Sequence, residues 1–241
     1  MSLVDVSRSL CHAVERLRFA PPVACVYNPL RYARSLHEAY LARYGTGRKE
    51  CVLLGMNPGP FGMAQTGVPF GDPALVREWL GIEGEVGQPE RTHPRRPVLG
   101  FAQRRSEVSG TRLWGWARDR CGTPDRFFSR FFVANWCPLA FLDAAGRNLT
   151  PDKLSPAERE ALARPCDDAL RAVVAELSPR VVVGVGVFSE RRAREALRDT
   201  GVVVGGMLHP SPASPRANRG WAAEADRALY ALGLRLPKQP R

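Results

Sequence analysis

Three short apolar runs in this chain stop on a polar side chain. Cys51-Val52-Leu53-Leu54-Gly55-Met56 ends at Asn57, Phe131-Phe132-Val133-Ala134 at Asn135, and Val202 to Leu208 at His209. With Val181 to Val185 they are too short for ordinary helices, and their β-branched and aromatic content marks them as strands. Segments of helical period separate them. Strands alternating with helices imply a parallel sheet covered on both faces, so the expected fold is α/β, three layers (α/β/α) around a central, mainly parallel four-stranded sheet. Ligands of such open sheets bind beyond the carboxyl ends of the strands. Two carboxamides and one imidazole, distant in sequence, should therefore meet in one crevice.

Strands are expected at 51–55, 131–134, 181–185 and about 202–208. Amphipathic helices are expected at 5–18 and 30–43, before the first strand. Asp72-Pro73 has the form of a helix cap followed by a first helical residue, with Gly81 as the stop. Residues 84–110 are rich in proline and arginine and should be irregular. Helices follow at about 111–121 and from Thr123-Pro124. Ser155-Pro156-Ala157-Glu158 is a capping box opening a helix to about 177, which Pro165 should kink or split. Trp221, Ala225, Leu229 and Leu232 mark a closing helix. No repeat, low-complexity segment or linker is present, so residues 1–241 should form a single catalytic domain. About four residues at the amino end and six at the carboxyl end are expected to be flexible.

The chain has 241 residues, long enough to bury a core. Its formal net charge of +11 points to an acidic partner, nucleic acid first and an anionic membrane surface second. Compositional bias is the competing source of that charge, since there are only three lysines, Lys49, Lys153 and Lys238. No apolar stretch approaches the roughly 20 residues that span a bilayer, and the amino terminus lacks a signal-peptide core. The expectation is a soluble intracellular protein without membrane association, in the bacterial cytoplasm with the nucleoid or, in a eukaryote, the nucleus. The six cysteines are scattered without metal-ligand spacing, so neither disulfides nor a metal are expected.

The segment from Gly55 to Gly71 is the most specific in the chain. Its glycines let backbone N–H groups approach a ligand, its prolines stiffen the loop, and Phe70 in Pro69-Phe70-Gly71 is placed to stack on a flat ring. By itself it fits equally a rigid surface loop with Phe70 turned into the core. Gly184-Val185-Gly186 hints at a dinucleotide fingerprint, but Ser189 stands at the third glycine position, and the two glycines read as close strand-to-helix packing. Polar strand tips in a basic chain suggest an enzyme acting on one base of a polyanion.

From about Tyr27-Asn28-Pro29 to Leu234 the chain resembles the single-strand-selective monofunctional uracil-DNA glycosylases, a branch of the uracil-DNA glycosylase superfamily. The motifs are the Gly55–Gly71 loop, Arg96-Pro97-Val98-Leu99-Gly100, Ser106-Glu107-Val108-Ser109-Gly110, Asn135-Trp136-Cys137-Pro138-Leu139, Gly146-Arg147-Asn148-Leu149-Thr150-Pro151 and His209-Pro210-Ser211-Pro212. The resemblance implies a monomeric, cofactor-free enzyme of base excision repair acting on single-stranded and damaged duplex DNA. Asn57 would hold the attacking water and His209 would stabilise the departing base. The chemistry fits, because cleaving an N-glycosidic bond leaves a cation-like sugar and a pyrimidine anion. A carboxamide is no general base near neutrality but can orient water. Superfamily relatives carry aspartate there, which shifts the burden to His209 and the pocket.

By the same resemblance Asn135 reads the base, accepting from uracil N3–H and donating to O4, the reverse of what cytosine presents. Phe70 stacks on the ring, and Met56 and Met63 shape the pocket. Gly59 stands where better-known uracil glycosylases place a tyrosine that blocks C5 substituents. The expected products are uracil and 5-hydroxymethyluracil, with thymine poor, because a hydroxymethyl group replaces a water's hydrogen bonds and a methyl group does not. The stiff loop of Pro210, Ser211, Pro212 and Ala213 should enter the space left by a flipped nucleotide. Many relatives carry a basic residue where Ala213 stands, a loss that Arg216 and Arg219 would offset. Arg147 and Asn148 are the other expected backbone contacts. No lysine lies in a pocket motif, so simple hydrolysis to an abasic site is expected in place of Schiff-base strand cleavage. Two other readings are a relative excising deaminated purines and a catalytically silent lesion-binding module, which the presence of both Asn57 and His209 disfavours.

Overall fold

A computed structural model describes residues 1–236. The expected flexible carboxyl end lies, from residue 237, outside the described residues. Four strands, β2 (Cys51–Gly55), β3 (Phe131–Asn135), β6 (Val181–Val185) and β7 (Val203–Met207), form a wholly parallel sheet in the order β3-β2-β6-β7. β2 and β6 are buried along their whole length, as central strands covered on both faces must be. Because β3 and β6 lie on opposite sides of β2, the order in which strands are added reverses there, and the crevice beyond the strand ends opens at that point.

Neighbouring residues of β7 show the layering. A Cβ on Gly205 would meet Leu232, at the end of α11 (Trp221–Ala231), at 2.7 Å or less; one on Gly206 would meet Glu190 of α9 (Val187–Ala196). Successive strand residues face opposite ways, so α9 and α11 cover opposite faces. α8 (Pro156–Leu177) packs on α9, and α1 (Leu3–Glu15) on α8; with α11 packs α6 (Val108–Cys121), which leads into α7 (Pro124–Phe128). β3 divides its aromatics accordingly. Phe131 stacks on Phe127 of α7, and Phe132 stacks on Tyr40 of α3 (Arg34–Tyr44).

Several boundaries differ from expectation. α1 starts at Leu3, because Ser2 and Asp5 form a capping box, so the first four residues include a cap and the opening of a helix; it ends at Glu15. The helix expected at 30–43 is two, α2 (Pro29–Tyr32) and α3, broken at Ala33. α6 begins at Val108, earlier than expected, capped by Glu107. Pro165 does not split α8, which runs 22 residues through it. Leu162, Cys166, Leu170, Val174 and Leu177 form an unbroken buried stripe there, and packing against α1 and α9 outweighs the lost backbone bond. A small antiparallel sheet of β1 (Cys25–Tyr27), β4 (Ala140–Leu142) and β5 (Asn148–Leu149) was not foreseen, since strands of two or three residues carry no readable period. The close packing expected of Gly184 is present: a Cβ there would collide with the α9 backbone at Glu190.

Candidate active site

β2 and β3 run side by side with Gly55 opposite Asn135. Their pairing continues past the sheet, with Trp136 N donating to Gly55 O (2.9 Å) and Cys137 N to Met56 O (2.9 Å). The Met56 carbonyl is thus taken up in strand pairing, and both strand tips leave the sheet together. The Asn57 side chain is held from the far side, its Nδ2 donating to Leu139 O at 3.2 Å just before β4. With the amino end committed, Oδ1 is the end left to accept from a water.

Gly55 shows how tightly the tips are gathered. A Cβ there would fall inside van der Waals contact of Asn135 Oδ1 and 2.6 Å from Phe70 Cε2. The carboxamide and the ring therefore close over the same glycine. Asn135 is oriented by Met63, whose thioether accepts from Nδ2 at 3.2 Å; Met63 is buried at the start of α4 (Met63–Thr66). Phe70 adopts φ +53°, uncommon for a bulky residue. Its surroundings enforce this, with Asp72 N donating to Phe70 O (2.8 Å) and Thr66 Oγ1 to Gly71 O (3.0 Å). Strain of this kind persists where neighbours over-determine a conformation.

His209 leaves the end of β7, and its ring centroid lies 6.1 Å from that of Phe70, tilted 38°. Gly186, at φ +95°, lets it approach, since a Cβ there would stand 3.2 Å from the His209 Cβ. Burial pushes the imidazole down to about 4. The ring is therefore neutral near pH 7, with one nitrogen free to donate.

Beyond His209 the chain is braced by residues that sequence reasoning did not single out. Arg112 of α6 donates to Pro210 O (3.1 Å), Ser211 O (3.2 Å) and Asn218 Oδ1 (2.8 Å). Asn218 Nδ2 in turn donates to Pro212 O (2.9 Å), and Ala213 N donates to Ser211 Oγ (3.1 Å). Pro210 is buried, whereas Pro212 and Ala213 stand exposed at the tip. Arg216, in α10 (Pro215–Asn218), is ion-paired with Glu224 (3.1 Å), while Arg219 is exposed. Arg147 sits on the small sheet's hairpin, its Nε bonded to Asp143 (2.6 Å), next to exposed Asn148. Among the described residues, no hydrogen bond or ion pair joins these two to Asn57, Asn135 or His209.

Two further features belong to the Gly55–Gly71 loop. The Phe61 ring carries the guanidinium groups of Arg105 (4.2 Å) and Arg96 (5.2 Å) over it, a basic cluster on this loop. Asp72 does more than cap α5 (Pro73–Glu78): its Oδ2 accepts from Ser106 Oγ (2.8 Å) and Glu107 N (3.0 Å), tying residues 106–107 to this loop. The capping signal of Asp72-Pro73 was readable; its second role was not.

Comparison with known proteins gives the family. The profile of the family described as Uracil DNA glycosylase superfamily matches residues 42–230. The chain is 53% identical over 223 residues to a single-strand selective monofunctional uracil-DNA glycosylase of Rattus norvegicus, covering 92% of this chain and 80% of that one. With the protein of that name from Bos taurus it shares 52% identity, covering 92% and 82%. A crystal structure of Pedobacter heparinus SMUG2 superposes with a TM-score of 0.68 at 17% identity, over 95% of this chain and 97% of that one, a likeness of fold. The chain belongs to the uracil-DNA glycosylase superfamily and, within it, to the single-strand-selective monofunctional uracil-DNA glycosylases.

Proposed function

We propose how this uracil-DNA glycosylase, a hydrolase of N-glycosyl bonds in base excision repair, carries out its reaction. The extruded uracil lies against Phe70. Asn135 accepts from N3–H and donates to O4. Cytosine presents the opposite pattern, and each buried group left mispaired costs about 1–3 kcal/mol. As the bond between the sugar carbon and N1 breaks, its electron pair moves into the base, onto N1 and the carbonyl oxygens. Neutral His209 donates a hydrogen bond to O2 and stabilises that charge without giving up its proton. Asn57 holds a water through Oδ1 on the opposite side of the sugar, and its oxygen bonds to the cationic carbon while its proton leaves to solvent. Orientation is the whole contribution of the carboxamide.

No amine is available for a lyase step among the described lysines. Lys49 is buried at the opposite end of β2, its Nζ donating to Phe128 O (2.6 Å), and Lys153 is paired with Asp152. Products are the free base and an abasic site. On the C5 side, Gly59 leaves room for a hydroxymethyl group, so 5-hydroxymethyluracil is a second substrate and thymine a poor one. The exposed Pro212-Ala213 tip enters the gap left by the flipped nucleotide, with Arg219 and the Arg96–Phe61–Arg105 cluster on the flanking phosphates. The enzyme works as a monomer without metal or cofactor.

The observation that carries this reading is the crowding at Gly55, where the Asn135 carboxamide and the Phe70 ring close over one point, with His209 next to that ring. The test is excision from an oligonucleotide bearing one uracil, followed by alkaline cleavage. Wild type should cut, and Asn57→Ala and His209→Ala should each lose about 10²–10³ in rate. Unchanged rates in both variants would remove these role assignments.

A further inference from the structure

Glu107 is a carboxylate in an unusual place. It caps α6, with Oε1 accepting from Ser109 N (3.0 Å), although glutamate is not among the residues favoured at that position. A serine or aspartate would serve the helix with less chain to bury. The longer side chain instead carries its second oxygen across to the Gly55–Gly71 loop. A Cβ on Gly59 would lie inside contact distance of Oε2 and 3.5 Å from Cδ; one on Gly62 would lie 2.7 Å from Cγ and 2.9 Å from Oε2. The carboxyl group thus stands within contact of the Cβ positions that Gly59 and Gly62 leave empty, two and five residues beyond Asn57. Its backbone is pinned there by Asp72, which accepts from Glu107 N. Burial holds its pKa above the usual carboxylate range, so this placement costs energy that helix capping does not require.

We propose that Glu107 is a specificity-determining residue of the base pocket, presenting Oε2 as the hydrogen-bond acceptor for a hydroxyl carried at the C5 position of the bound pyrimidine. This rests on the reading above that the base's C5 edge faces Gly59. With uracil, a water lies between C5 and the carboxylate. A hydroxymethyl group displaces that water and donates to Oε2 in its place. A methyl group displaces it and offers nothing, leaving the oxygen unmatched. A formyl group brings a second acceptor up against the first.

The test compares kcat/KM for uracil, 5-hydroxymethyluracil and 5-formyluracil in one single-stranded sequence, for wild type, Glu107→Ala and Glu107→Gln. Ratios are read within each enzyme, so differences in the folded fraction cancel. Glu107→Gln keeps a carbonyl oxygen to cap α6 and sets an amide N–H donor where Oε2 stood. The 5-hydroxymethyluracil-to-uracil ratio should fall about tenfold or more in Glu107→Ala, the value of a hydrogen bond to a charged group. The 5-formyluracil-to-5-hydroxymethyluracil ratio should rise several-fold in Glu107→Gln. If wild type excises 5-hydroxymethyluracil and both ratios stay within twofold of wild type in both variants, the role of Glu107 is overturned while the C5 reading stands. If wild type excises uracil but not 5-hydroxymethyluracil, the C5 reading fails, and the role of Glu107 falls with it.

Discussion

Replacing Gly55 with alanine adds one carbon at the point where the site is most crowded. That carbon would sit inside contact of Asn135 Oδ1, 2.6 Å from Phe70 Cε2 and 2.9 Å from its Cζ. Non-bonded carbons prefer about 3.5–4.0 Å, so the ring must retreat by about 1 Å or the carboxamide must swing away. Neither has slack: Phe70 is held at positive φ by Asp72 and its neighbours, and Asn135 by Met63. Overpacking of this kind costs about 1–3 kcal/mol of stability, which lowers the melting temperature by roughly 2–12 °C for a chain of this size. A displacement of about 1 Å in groups that position a substrate costs on the order of 10² in rate. Single-turnover excision from a single-stranded uracil oligonucleotide reads the second effect and a thermal melt the first. Gly115→Ala is the control, because a Cβ in that helical position meets nothing within 4 Å. It should keep its activity and gain about 0.5–1 kcal/mol. If Gly55→Ala cleaves within threefold of wild type and melts at the same temperature, Asn135 and Phe70 do not enclose the base as described.

Acid should destabilise the fold before its carboxylates titrate. His37 and His209 are both pushed by burial from 6.5 to about 4, so between those values the unfolded chain takes up protons that the folded one refuses. Stability is full above about pH 6.5 and falls toward pH 4, by about 3 kcal/mol for each group. Glu107, held high by burial, opposes this with one group against two. Urea melts from pH 7 to 4.5 should show the loss, and His37→Gln should remove about half its slope; a flat profile would refute it. Arg112→Ala removes three hydrogen bonds from the chain after His209. It should lower kcat/KM about tenfold and open residues 210–219 to limited proteolysis, and an unchanged digestion pattern would show that Arg112 is not the brace.

The sheet was legible because each of its strands is an isolated apolar run, and a strand's end is where an open parallel sheet binds ligands. Asn57, Asn135 and His209 stand at or just beyond such ends, so the expectation that they meet in one crevice follows from topology. What escaped was set by side-chain reach across the fold. Glu107 looks like one acid in an arginine-rich stretch, and nothing local says that its carboxyl crosses to Gly59 and Gly62. Arg112 was one arginine among many until α6 placed it under Pro210 and Ser211. Arg147 and Arg216, read from sequence as phosphate contacts, are exposed and also bond to Asp143 and Glu224, pairings that nothing local foretells. Pro165 shows the same limit from the other side, with a local rule overridden by the buried stripe of α8. Gly186, read only as a packing glycine, also makes room for His209.

The central claim is that the base leaves as an anion stabilised by neutral His209. It is tested most directly by comparing leaving groups of different acidity. Single-turnover excision of 5-fluorouracil and uracil, in wild type and His209→Ala, gives one rate ratio for each enzyme. Wild type should show the smaller preference for 5-fluorouracil, because the imidazole already carries much of the developing charge. His209→Ala, left to the base's own acidity, should show a preference larger by tenfold or more, about 1.4 kcal/mol. Equal ratios in the two enzymes would mean that His209 does not act on the departing anion.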